Sequence, residues 1–128
     1  MLTNRETEVH NLLLQGKSDR EIARELFVAL DTTHTYVGRV LKKMNVSNRV
    51  VLIAKEYLND FSTADLKRFD DEQKQVIELI VTEGIGTDLI ASRLGRSKTY
   101  VSRRLNQIFL KTDTNSRQEL LLWLKDNL

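Results

Sequence analysis

An internal repeat constrains the fold of this chain more than any other feature of its sequence. Residues 21–26 (EIAREL) align with residues 89–94 (LIASRL) at a shift of 68 positions. The same shift pairs Val37 with Leu105 further downstream, whereas the upstream residues align at a shift of 67. One residue is therefore inserted around Gly84, and a loop tolerates such an insertion most easily. The repeat predicts two copies of one structural unit.

The apolar pattern indicates that both copies are helical. Leucine, isoleucine and valine recur at three- and four-residue spacing along nearly the whole chain, and proline is absent. This spacing is typical of packed amphipathic helices. We therefore expect an all-α protein with two tandem four-helix units, residues 1–60 and 69–128. Residues 61–68 are expected to form a linker or an extension of the fourth helix.

Capping residues and glycines mark the predicted helix ends. Thr3 and Asp70 are each followed three positions later by Glu or Gln, which is the pattern of a capping box. The first helices are expected to end near Gly16 and Gly84. The later helices are predicted at 19–26 and 87–94, capped by Ser18 and Thr87, then at 31–44 and 98–112, and finally at 47–58 and 115–127.

The turn before the third helix differs between the copies. In the second copy, Gly95 suits a positive φ and Ser97 can cap the next helix. In the first copy, Phe27 stands where the glycine would be. A phenylalanine there implies backbone strain unless the turn is remodelled.

Positive charge is concentrated around the third helices, although the net charge of the chain is only +2. No acidic residue lies between Asp88 and Asp113 or between Asp31 and Glu56, and both stretches carry several lysines and arginines. A short helix, a tight turn and a basic third helix are typical of proteins that place side chains in the major groove of DNA. If only one copy carried this charge, an ordinary solvated helix face would explain it. Such a face explains less well why the positive charge recurs at the same place in both copies.

Several motifs of the first copy resemble a known family. They are Leu2-Thr3, Arg5-Glu6, Glu8-Val9, Gly16, EIAREL at 21–26, LKKM at 41–44 and VSNR at 46–49. Residues 2–58 are similar in these motifs to the LuxR/GerE-type helix-turn-helix domain of bacterial transcription regulators, and residues 69–126 resemble it more loosely. The resemblance implies a third helix that enters the major groove and a fourth helix that often mediates dimerisation.

The resemblance also implies which side chains face DNA. By position, they are Asp31, His34, Thr35 and Gly38 in the first copy, and Thr99, Ser102, Arg103 and Asn106 in the second copy. The resemblance and the positive charge around the third helices together predict DNA-binding residues in both copies. The second copy is expected to contact DNA more tightly. These are Arg96, Ser97, Lys98, Thr99, Ser102, Arg103, Arg104, Asn106, His34, Thr35, Arg39 and Lys42.

Two apolar groups indicate protein contacts. Phe27, Val28 and Leu30 lie before and at the start of the third helix of the first copy, where acidic Asp31 would repel phosphate. They predict a small apolar patch that docks a protein partner or the other copy. The last helix carries Leu121, Trp123 and Leu124 among other apolar residues, more than one face can bury in so small a unit. It is expected to pair with its twin in a homodimer or with the fourth helix of the first copy in an intramolecular pseudo-dimer, with a slight preference for the homodimer.

Catalysis, metal binding and membrane insertion have no support in the sequence. The chain has no cysteine, and its two histidines lack neighbouring metal-ligand residues. Carboxylates cluster at helix starts, where they complement the helix dipole. No stretch reaches the roughly 20 apolar residues of a membrane span. We expect no enzyme activity and no cofactor or metal.

The expected function is therefore that of a cytoplasmic, sequence-specific regulator of transcription that binds double-stranded DNA, of bacterial or phage origin. The alternative is a protein-interaction module that modulates another regulator or the transcription machinery.

Overall fold

A computed structural model describes all 128 residues, and it contains eight α-helices and one short 3₁₀ turn. The α-helices are α1 (Asn4–Leu14), α2 (Asp19–Leu26), α3 (Leu30–Lys43), α4 (Arg49–Tyr57), α5 (Asp71–Glu83), α6 (Thr87–Leu94), α7 (Lys98–Thr112) and α8 (Arg117–Asn127). The expected all-α class is confirmed. None of these helices is both long and apolar enough to cross a membrane.

The backbone takes a left-handed conformation at six places. These places form three pairs, each separated by 68 positions: Gly16 and Gly84, Phe27 and Gly95, and Asn45 and Asp113. Each pair follows the corresponding helix in α1–α3 and α5–α7. The chain therefore turns in the same way at three corresponding points of its two halves.

Helices α1 and α5 both begin with the predicted capping box. Their third residues, Glu6 and Gln73, are buried, and each accepts a hydrogen bond from a lysine near the end of a later helix. Lys43 Nζ lies 2.7 Å from Glu6 Oε1, and Lys111 Nζ lies 2.8 Å from Gln73 Oε1. The hydrogen bonds from Lys43 and from the backbone amide of Thr3 lower the pKa of Glu6 from 4.5 to about 2.

Helix α4 contributes to both apolar clusters of the interior. Leu52 belongs to the smaller cluster, which is built on α1–α3. Ile53 and Ala54 belong to the larger cluster, which is built on α5–α8. Helix α8 packs directly against α4, and its Leu121 and Leu124 are completely buried. These leucines of the last helix are thus covered within the chain, and α4, the fourth helix of the first half, was one of the two expected partners of α8.

One local prediction needs correction, and the structure favours one of the two alternatives left open for residues 61–68. Thr87 is the first residue of α6 rather than its cap, because Gly86 occupies the cap position and has no side chain to bond the helix. Helix α4 ends at Tyr57, so the segment before α5 is not an extension of that helix. This segment contains a 3₁₀ turn at Thr63–Asp65, and Leu66 anchors it in the larger cluster with only 1% of its surface exposed.

Candidate nucleic-acid interface

The turn between α6 and α7 sets the direction of α7. Gly95 adopts φ 63°, and no other atom would crowd a side chain at this position. Ser97 then caps α7 as predicted, because its Oγ accepts a hydrogen bond of 3.1 Å from the amide of Tyr100. Val101 and Leu105 are buried below the helix. The opposite side of α7 therefore faces solvent.

The exposed side of α7 carries the four residues that were predicted to face DNA. Thr99, Ser102, Arg103 and Asn106 are all exposed, and their spacing of three, four and seven residues places them on one helix face. We refer to these four residues as the α7 reading face. No carboxylate pairs with Arg103, so its guanidinium is available to a ligand.

Beside the α7 reading face, two arginines stack on one tyrosine. Arg96 and Arg104 lie over the Tyr100 ring, with guanidinium carbons 4.8 Å and 4.6 Å from its centroid. Arg104 Nε also donates a hydrogen bond of 2.7 Å to Glu72 in α5. Hydrogen bonding to Tyr100 and Arg104 lowers the pKa of Glu72, and the bond to Glu72 raises the pKa of Arg104. Arg104 is thus tied to α5 by an ion pair, whereas Arg96 stacks on Tyr100 without a carboxylate partner.

Lys98 is the remaining basic residue at the start of α7. Its Nζ lies 3.4 Å from Asp88 Oδ1, and both side chains are more than 70% exposed. An ion pair this exposed is weak, because water and salt screen it. Lys98 can therefore release Asp88 to contact a phosphate.

The first half presents a different surface at the corresponding turn. Phe27 adopts φ 55°, so the turn is not remodelled to avoid the strain, and 94% of its side chain is exposed. Ala29 occupies the cap position of α3 and makes no side-chain hydrogen bond. Leu30 is only half-buried. The predicted apolar patch therefore consists mainly of Phe27.

Helix α3 buries Thr33, Val37 and Val40 and exposes its opposite side. Every residue of α3 that was predicted to face or contact DNA is exposed. These residues are Asp31, His34, Thr35, Gly38, Arg39 and Lys42. We refer to Asp31, His34, Thr35 and Gly38 as the α3 reading face.

Three acidic residues from other helices lie close to the basic and polar residues of α3 and α7. Asp19, the first residue of α2, accepts a hydrogen bond of 2.6 Å from Arg49 Nη2 and lies 3.1 Å from His34 Nε2. At α7, Glu72 pairs with Arg104 and Asp88 pairs with Lys98, both beside the α7 reading face. The acid-free stretches of the sequence are therefore not acid-free in space. The only feature of the sequence that could have indicated this role of Asp19 is its position at the start of α2, the helix that precedes α3.

The residues predicted to contact a partner fall into two groups. Phe27 is free on the surface, whereas Leu121 and Leu124 are completely buried and leave no surface for a second protein. Trp123 is half-buried and packs edge-on against Phe69, with ring centroids 6.2 Å apart. The prediction that α8 offers a partner surface through its leucines is wrong, since α4 already covers them.

Comparison with known proteins identifies the first half. Residues 1–55 match the family described as "Bacterial regulatory proteins, luxR family". The transcriptional regulatory protein DesR of Bacillus subtilis is 41% identical over 54 residues, which are 42% of this chain and 27% of DesR. The spore germination protein GerE of the same organism is 41% identical over 49 residues, 38% of this chain and 66% of GerE.

A third relative, the CsgBAC operon transcriptional regulatory protein of Escherichia coli, is 41% identical over 54 residues, 42% of this chain and 25% of that protein. The chain thus spans about a quarter of the length of the two larger regulators. No solved structure matches the chain. Residues 1–55 form a GerE/LuxR-type helix-turn-helix domain.

Proposed function

We propose that this protein is a sequence-specific, double-stranded DNA-binding transcription regulator made of two tandem helix-turn-helix units, with no enzymatic activity. The observation that carries the proposal is the LuxR-type domain at residues 1–55, because the relatives that share it are transcriptional regulators by name. A cytoplasmic location goes with this function, since bacterial DNA lies there.

The second unit of the proposal is supported by its geometry. Three left-handed positions recur at a constant separation of 68 residues. A lysine near the end of a later helix reaches the capping box in both halves, as Lys43 does with Glu6 and Lys111 with Gln73. Recurrence of such local details favours a duplicated unit over two unrelated helical segments.

The α7 reading face is the main DNA contact in this proposal. Lys98, Arg96 and Arg103 bind phosphates or guanine edges, and the small polar side chains of Thr99 and Ser102 approach base edges. Tyr100 and Glu72 hold the guanidinium of Arg104 in one orientation beside the α7 reading face. The α3 side contributes Arg39 and Lys42, which have no carboxylate partner.

Selection from a library of randomised duplexes tests the proposal. The unaltered chain is expected to enrich one motif, and the double variant Lys98→Ala/Arg103→Ala is expected to lose at least about tenfold in affinity for it, because each good contact is worth about 1–3 kcal/mol. Lys67→Ala/Lys125→Ala is the matched control. It removes the same charge from exposed positions next to the C-terminal end of α8 and leaves the motif intact.

A second candidate function rests on Phe27. A fully exposed phenylalanine in a strained turn beside acidic Asp31 favours docking of a protein partner over contact with phosphate. If no motif is enriched and all variants bind DNA equally at the non-specific level of about 10⁻⁴ to 10⁻⁶ M, the regulator proposal fails. Crosslinking from position 27 then tests the interaction module.

A further inference from the structure

The two halves of the chain contact each other reciprocally through their fourth helices. Gly84, in the loop after α5, approaches Val51 of α4 so closely that an added Cβ would clash with it, and Asn48 Nδ2 donates a hydrogen bond of 3.0 Å to the carbonyl of Gly84. Gly16, in the loop after α1, approaches Leu122 of α8 in the same way. Each fourth helix thus fills the space that a glycine leaves in the other half.

Reciprocal contact is the mark of an interface with two-fold character, in which equivalent surfaces meet. Dimeric helix-turn-helix proteins use such an interface to present two reading helices to two half-sites of one duplex. Here one chain supplies both halves. Its α4 and α8 bury Ile53, Leu121 and Leu124 completely, so these apolar residues are covered within one chain.

The two reading faces have different chemistry at corresponding positions. Asp31 corresponds to Thr99, and Thr35 corresponds to Arg103. A carboxylate only accepts hydrogen bonds and suits the amino group of cytosine, whereas a guanidinium donates two and suits guanine O6 and N7. Identical half-sites would therefore leave one of the two faces without its proper hydrogen-bond partner.

We propose that one copy of this chain recognises one non-palindromic duplex with two unlike half-sites, one read by the α3 face and the other by the α7 face. This inference rests on the proposed DNA-binding function. It goes beyond that function because it specifies the symmetry of the DNA and a stoichiometry of one chain per site.

Substitutions at two exposed residues test whether each reading face recognises its own half-site. The selection uses duplexes with a randomised core of about 30 base pairs, which accommodates two half-sites one helical turn apart. Asp31→Asn is expected to change the preferred base in one half-site from cytosine towards adenine, because an amide pairs with adenine. Arg103→Gln is expected to replace guanine by adenine in the other half-site only. Native mass spectrometry of the selected duplex should give one chain per duplex.

The outcomes separate this inference from the underlying function. A palindromic motif bound by two chains overturns the inference and leaves the DNA-binding function standing. So does a motif that changes with Arg103→Gln but is indifferent to Asp31→Asn. If no motif is selected at all, both proposals fail. Circular dichroism of the two variants checks that the helices are retained, as expected for two exposed side chains.

Discussion

Phe27 occupies a backbone conformation that L residues rarely adopt, and it gains little contact in return. Its φ is 55°, and its side chain is 94% exposed. A left-handed conformation costs a residue with a Cβ about 1 kcal/mol relative to glycine. Gly95, at the corresponding place in the second half, avoids this strain with nearly the same φ.

We therefore expect Phe27→Gly to raise the free energy of unfolding by about 1 kcal/mol, as measured by urea denaturation. Gly95→Ala is the matched reverse change. It should lower the free energy of unfolding by a similar amount, because the site has open space and only the conformation is unfavourable. A loss of stability in Phe27→Gly would show that the phenylalanine makes a stabilising contact that outweighs the strain.

Glu6 should make the stability of the protein depend on acid pH. Its pKa is lowered from 4.5 to about 2 by hydrogen bonds from Lys43 and from the amide of Thr3. A carboxyl group with a lowered folded-state pKa stabilises fully above its unfolded-state pKa and loses that contribution as the pH falls towards the folded-state value. The contribution of Glu6 is therefore complete above about pH 5 and lost between about pH 4.5 and 2.

The variant Glu6→Gln tests this pH dependence, because glutamine already serves in the same capping position at Gln73. Urea denaturation should show the variant less stable than the unaltered chain at pH 7. The difference should shrink as the pH falls from 4.5 and should disappear near pH 2. A difference that is constant across this range would mean that the Glu6 charge is not the cause.

At the scale of the element, α3 and α7 begin differently, although the backbones of their N-cap residues have nearly the same dihedral angles. Ala29 has φ −66° and ψ 153°, and Ser97 has φ −75° and ψ 159°. Only Ser97 provides a side-chain acceptor for the helix. Helix α3 therefore starts with backbone amides that no capping side chain satisfies.

Exchanging these caps should move stability in opposite directions. Ala29→Ser is expected to raise the free energy of unfolding by about 0.5–1 kcal/mol, since the backbone already has the geometry that a serine cap needs. Ser97→Ala is expected to lower it by about 1 kcal/mol. Amide hydrogen exchange in the first turns of α3 and α7 would locate both effects. Unchanged exchange at the start of α3 in Ala29→Ser would contradict the capping argument.

At the scale of the whole molecule, α4 couples the two halves through neighbouring residues. Leu52 and Ile53 are both buried, but they belong to different apolar clusters. Each change to alanine should lower the free energy of unfolding by about 2–5 kcal/mol through lost burial and a cavity.

The location of the damage distinguishes these two variants. Ile53→Ala should reduce amide exchange protection in α5–α8, although residue 53 lies in the first half, and Leu52→Ala should act first on α1–α3. Two separate unfolding transitions, with the effect of Ile53→Ala confined to α1–α4, would show that the halves are independent.

Much of the local structure follows from short-range features of the sequence. The capping boxes at Thr3 and Asp70 begin their helices as predicted, because a cap and its partner lie only three residues apart. The residues that the resemblance implied to face DNA are exposed on α3 and α7. Thr87 was misassigned as a cap, because its position beside Gly86 allowed two starts for α6 and a glycine gives no side-chain signal.

What the sequence determined by itself is the helical class and the exposed sides of α3 and α7, since both depend on residues within a few turns of one another. It also determined the repeat of its motifs, because two segments of one chain can be compared directly. Only the tertiary structure decided which charges are paired and which apolar faces are covered. Glu72 reaches Arg104 across 32 positions, and α4 covers Leu121 and Leu124. Such contacts depend on how whole helices pack, and no local pattern encodes that packing.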